Sequence, residues 1–153
     1  KEKETLSREL LSQMPRKAVE ETIKKAISSM TTTNKPVAEA MLETEVNAGT
    51  DVTGFGLVGH ASEMAQQSGV DMEITRIPVF KGSIRISDVL VYSLRDGHAH
   101  ETAGGMLLSV SQENTKQLVK ALKKRKVNPY MIGNTKKGKG EVKLAKNPEF
   151  IEV

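Results

Sequence analysis

The sequence predicts an α+β domain with helices packed on a mixed sheet. Three observations predict it: the first third spaces its apolar residues as helices do, the pattern changes to strand-like alternation from Gly69, and the chain ends in short apolar runs divided by glycines. At 153 residues the chain is long enough to bury a core without disulfide support. It has no cysteine, which removes disulfides, zinc-thiolate sites and a catalytic thiol from within this chain.

The helical part comes first. Val19, Ile23 and Ile27 recur every fourth residue with Ala26 and Met30 beside them, while Lys and Glu fill the other face. Pro15 suits a helix start, so the spacing predicts a short helix over 5–13 and a longer one over 15–30. "TTTN" breaks the pattern, and "KPVAEAMLETEV" resumes a helix over 35–45. Residues 1–30 read as a helical connector from a preceding N-terminal domain, and 31–153 as the α+β domain.

The stretch from Ala48 to Val70, "AGTDVTGFGLVGHASEMAQQSGV", crowds glycines, threonines and one aspartate ahead of an amphipathic helix that starts near Gly56 or Leu57. Beyond it, strands are predicted over 70–77 ("VDMEITRI"), 83–92 ("SIRISDVLVY") and 105–111 ("GMLLSVS"). Ser111 is placed to cap a helix over 112–126, whose stripe is Leu118, Val119 and Leu122. The end reads as two or three short strands, with 136–140 as a hairpin loop.

Lys plus Arg is 23 against 19 for Asp plus Glu, a net charge of +4. The excess gathers in "KALKKRK" and "NTKKGKG", which invites a nucleic-acid reading, yet only 3% of residues are aromatic and base-stacking platforms are scarce. A solvated helix face followed by a basic turn is the favoured reading, and no nucleic-acid partner is expected. No apolar run approaches the roughly 20 residues of a membrane span, and the first residues are too charged for a signal peptide. A soluble, cytoplasmic protein is expected.

Glycines let backbone amides converge on an anion, and a helix N-terminus adds donors and a positive dipole end. Asp51, just upstream, is the kind of carboxylate that binds Mg²⁺ together with phosphate oxygens. The spacing matches neither a P-loop nor G-x-G-x-x-G. A closely packed strand-to-helix turn explains the same glycines nearly as well, so the residues leave both readings open. Gly104 and Gly105 are open between a tight turn and close approach to a ligand. His98 and His100, with Asp96 and Glu101, read as a polar loop rather than a metal site. His60 reads as structural, satisfying its neighbours. The seven methionines read as core filling.

"TDVTGFGLVGHASEMA", residues 50–65, resembles the signature of the selenophosphate synthetase (selenide, water dikinase) family of the aminoimidazole ribonucleotide synthetase superfamily. "MTTTNKPVAEAM", "TAGGMLLSV" and "YMIGNT" are similar to further family segments and fall in the same order, so the likeness runs from about Met30 to Gly133. The resemblance implies a three-layer α/β/α C-terminal domain with a mixed sheet. It also implies a missing N-terminal half that supplies dimerisation, a catalytic Cys or selenocysteine, a Lys and further metal-binding aspartates, in a full-length homodimer. The implied reaction converts ATP, selenide and water to selenophosphate, AMP and phosphate with Mg²⁺. Carried over, Asp51 is the metal ligand, and Thr50, Thr53, Gly54, Phe55, Gly56, Gly104 and Gly105 bind the nucleotide. No catalytic residue is expected within this chain. Two features depart from the family pattern: "AHE" stands before "TAGG" where Asp-Pro-Gln is usual, and the segment between Pro78 and Thr102 is shorter.

Overall fold

The computed structural model describes residues 2–153. Two helices open the chain, α1 (Glu2–Gln13) and α2 (Arg16–Met30), with Pro15 as the residue that caps α2. Fixed φ and a missing N–H suit proline to that position. α3 (Lys35–Leu42) follows, three residues shorter than its pattern suggests. Then come β1 (Ala48–Asp51), α4 (Gly56–Ser68), β2 (Val70–Val79), α5 (Ser83–Leu90), β3 (Met106–Ser109), α6 (Gln112–Lys124), β4 (Gly133–Lys137) and β5 (Val142–Glu152).

The strands form two sheets. β1 pairs antiparallel with β3, Asp51 opposite Met106. β2 is the centre of a mixed sheet of order β4-β2-β5, antiparallel to β4 and parallel to β5. The α+β class with a mixed sheet is therefore as the sequence predicts. Its core forms where Ala61, Met64 and Ala65 of α4 meet Met72, Ile74, Ile77 and Val79 of β2. A second cluster joins Ala40 of α3 to Leu118, Ala121 and Leu122 of α6, with Leu108 of β3 packed against it.

Two elements differ from their predicted form. Residues 83–90 are helical, not a strand: the run is too short for apolar alternation to tell the two periods apart, and Gly82 at φ +84° turns the chain into a helix that buries Ser87 and Val89. Residues 136–140 do not close a hairpin either. β4 and β5 lie on opposite sides of β2, so the segment between them passes around the start of β2, where the Asp71 carboxylate accepts the amides of Lys139 (2.8 Å) and Glu141 (3.1 Å). Glycine-rich turns look alike in sequence whether they join paired strands or cross over a third.

The opening helices are tied to the rest of the domain. Thr22 Oγ1 donates to the Lys81 carbonyl at 2.7 Å, and Lys25 Nζ donates to the Val153 carbonyl at 2.7 Å. A Cβ on Gly82 would lie 2.9 Å from the Met14 methyl and 3.0 Å from Thr22 Oγ1, so Met14 and α2 pack closely on the start of α5. Ser111 caps α6 through its side chain, which accepts the Asn114 amide at 3.3 Å.

Candidate functional site

β1 ends at the exposed Asp51, and residues 52–55 then turn the chain into α4. The turn is held by a second segment, 97–105, which lies across it. Val52 N donates to Gly105 O (3.0 Å) and Gly104 N to Val52 O (2.9 Å), extending the β1–β3 ladder past its last formal pair. The Thr53 carbonyl accepts the amides of Gly56 (3.0 Å) and Glu101 (3.1 Å), Val58 N donates to Gly97 O (2.9 Å), and His100 Nδ1 contacts the Gly54 carbonyl.

The glycines of the turn divide by what surrounds them. Gly56 has φ +69°, and a Cβ there would lie 2.8–2.9 Å from the backbone of Gly97, His98 and Ala99. A Cβ on Gly104 would lie 2.3 Å from the Val52 carbonyl oxygen. Both are glycine because backbone meets backbone. Gly54 and Gly105 differ: neither has a positive φ, and among the described residues a Cβ on either would meet no atom within 4 Å. Their bare backbone is open to solvent and to a ligand.

The helix start contributes fewer donors than a free N-terminus would, since Gly56 N and Val58 N already have acceptors. Free donors lie just upstream. Among the described residues, the amides of Thr53, Gly54 and Phe55 meet no protein acceptor. Three successive free amides that begin two residues after an exposed carboxylate can serve an anion and its counter-cation together. Asp51 makes no ion pair among the described residues. Among the described residues, Thr50 Oγ1 has one hydrogen-bond partner, the adjacent Asp51 carbonyl, at 3.2 Å.

His60 sits one helical turn into α4 with its ring buried. Its Nε2 is 3.0 Å from Thr53 Oγ1, its Nδ1 is 3.1 Å from Glu63 Oε2, and the exposed Phe55 ring leans on it at 5.4 Å. Thr50, His60 and Glu63 also line a groove of about 280 Å³ between β1 and α4. The Glu101 carboxyl is desolvated, which raises its pKa above the ordinary 4.5, although the residue as a whole keeps solvent contact.

The structure thus brings together Thr50, Asp51, Thr53, Gly54, Phe55, Gly56, Gly104 and Gly105. Sequence reasoning missed the roles of Gly97, His100 and Glu101 in clamping the turn, and of Asn34, whose Nδ2 donates to the Gly104 carbonyl at 3.3 Å. Most of these contacts engage backbone atoms, so side-chain spacing carried no signal of them. Among the described residues no three His, Cys, Asp or Glu side chains come together as a metal site. A magnesium ion fits the turn only in part: Asp51 offers one hard, acceptor-only carboxylate, and the remaining ligands would be phosphate oxygens, water and groups from elsewhere.

The late basic residues are partly engaged within the domain. Arg125 pairs with Glu43 and lies 3.6 Å from Glu39, tying α6 to α3. No helix among the described residues is long and apolar enough to cross a membrane.

Comparison with known proteins places this geometry in context. The family model of AIR synthase related protein, C-terminal domain, matches residues 5–145. A selenide, water dikinase of Methanocaldococcus jannaschii is 39% identical over 139 residues, covering 86% of this chain and 40% of that protein. The selenide, water dikinase of Methanococcus maripaludis is 36% identical over 151 residues, covering 94% and 45%. Selenide, water dikinase 2 of Drosophila melanogaster is 30% identical over 154 residues, covering 95% and 42%. The chain spans less than half the length of these relatives.

Proposed function

The chain belongs to the AIR synthase related protein C-terminal domain family, and from that premise we propose that it is the C-terminal part of a selenide, water dikinase-type enzyme. In this reading the β1–α4 turn contributes to a Mg²⁺-nucleotide site in a reaction that converts ATP, selenide and water to selenophosphate, AMP and phosphate. One observation carries the reading: the exposed Asp51 stands two residues before three successive free amides, those of Thr53, Gly54 and Phe55, with open space around Gly54. Asp51 holds the metal, and the amides of Thr53, Gly54 and Phe55 receive phosphate oxygens. Thr50 and Gly105 border the same surface, and Gly56 and Gly104 hold its shape. Bound Mg²⁺ would neutralise phosphate charge as it develops.

The other metal ligands and the reactive groups belong to an N-terminal domain of the same protein, with residues 1–30 as the connector, in a cytoplasmic homodimer. A related enzyme with a different acceptor is the second reading. It is favoured by "AHE" at 99–101, which puts His100 and Glu101 on the turn where the family resemblance leads one to look for Pro and Gln.

Phosphoryl transfer rests on positioning and charge neutralisation, and one carboxylate with three amides supplies only part of either. The chain by itself should therefore bind but not consume ATP. Steady release of AMP or ADP from the pure chain, abolished in Asp51→Asn, would show instead that the site is complete within these residues.

A further inference from the structure

We propose that His60, locked by Glu63, is a positioning residue that turns the Thr53 hydroxyl so that its oxygen lone pairs, not its proton, face a ligand at the β1–α4 turn. Thr53 then acts with Asp51 toward a divalent cation, while the free amides take the anion. The identity of the cation rests on the Mg²⁺-nucleotide reading. The orientation of the hydroxyl does not.

The geometry fixes the protons in order. An ionised carboxylate only accepts, so Glu63 Oε2, 3.1 Å from His60 Nδ1, requires the proton on Nδ1. In the neutral ring Nε2 is then a bare acceptor, and Thr53 Oγ1, 3.0 Å away, must donate to it. The opposite tautomer would set a nitrogen lone pair against a carboxylate oxygen at 3.1 Å. The Thr53 backbone is held beside His60 by the amides of Gly56 and Glu101, which donate to its carbonyl. The ring itself is buried, with Phe55 against it.

A hydroxyl whose proton is already committed offers only lone pairs. It repels a phosphoryl oxygen and suits a hydrated cation or one of its waters. The turn is thereby sorted into an acceptor pair, Asp51 and Thr53, and a donor row, the amides of Thr53, Gly54 and Phe55.

The test reads the tautomer directly. In the full chain with ¹⁵N-labelled histidine, at about pH 8 and so above the ordinary imidazole range, long-range ¹H–¹⁵N spectra should show His60 protonated on Nδ1 and bare at Nε2. Glu63→Ala should move the ring to the other tautomer or to a mixture. A wild-type ring protonated on Nε2, or one indifferent to Glu63→Ala, overturns the proposal. Mn²⁺ affinity, measured by paramagnetic broadening with a non-hydrolysable ATP analogue present, provides the second readout. Thr53→Val and His60→Leu should each weaken Mn²⁺ by about tenfold, as loss of a ligand's supporting shell does, and Thr53→Ser should restore it, with melting temperatures checked for each variant. Unchanged Mn²⁺ affinity in Thr53→Val overturns the cation-facing role. If Asp51→Asn also leaves Mn²⁺ unaffected, the metal reading of the turn has failed, whereas the tautomer result still decides the hydroxyl's orientation.

Discussion

Gly54 and Gly56 lie two residues apart in the same turn and are glycine for different reasons. Gly56 combines a left-handed φ of +69° with backbone carbonyls where a methyl would sit. Gly56→Ala should cost at least about 1–2 kcal/mol for the left-handed conformation alone, with more from displacing segment 97–99. Gly54 carries neither constraint, so Gly54→Ala should change stability by no more than about 0.5 kcal/mol, the usual range for an exposed site, yet weaken nucleotide binding if phosphate approaches there. Thermal melts and nucleotide titrations of the two variants separate these outcomes; equal destabilisation would contradict the division. From sequence the glycines announced close approach, but which glycine meets backbone and which faces solvent was not legible. The colliding atoms on Gly56 come from residues 97–99, some forty positions away.

Among the elements, the amphipathic helices were the most legible because their apolar residues recur over several turns. α2, α4 and α6 fall close to where the spacing places them. α5 was misread because eight residues hold barely two turns. The crossover between β4 and β5 was misread because its anchor is Asp71, on β2. That anchor gives a pH signature. Amide donors from Lys139 and Glu141 hold the Asp71 pKa below its ordinary 3.8, so the ionised form stabilises the fold. This contribution is present above the ordinary value and is lost as pH falls from there toward the folded pKa. Asp88 beside Arg95 and Glu43 beside Arg125 shift the same way. Glu101, with a raised pKa, has the opposite sign and favours the fold when protonated. Urea melts from about pH 5 down to about pH 3 should show Asp71→Asn losing less stability on acidification than wild type, since it lacks the carboxylate whose protonation is penalised. Parallel losses in the two proteins would mean that Asp71 does not anchor the crossover.

At the scale of the whole molecule, two cores share one seam. The β2 core and the α3–α6 core meet along β1 and β3, and Asp51 emerges at the end of that seam where the 97–105 segment crosses. The α+β class was legible from the change in period along the chain. The separation into two sheets was not, because strand partners depend on contacts far apart in sequence. The site was legible in outline: the aspartate and the glycines stood together in the sequence, while the clamp that shapes them came from a loop without a recognisable motif. The central claim is that Asp51 serves a metal-nucleotide site and not the fold. Its most direct test is Asp51→Asn in the protein with its N-terminal domain present, with ATP turnover, Mg²⁺ dependence and melting temperature measured on the same preparation. Turnover should fall by about 100-fold or more, as when one electrostatic contact to the reacting group is removed, with the melting temperature nearly unchanged. Wild-type turnover and Mg²⁺ dependence together with a clearly lower melting temperature would make Asp51 a structural residue and contradict the account.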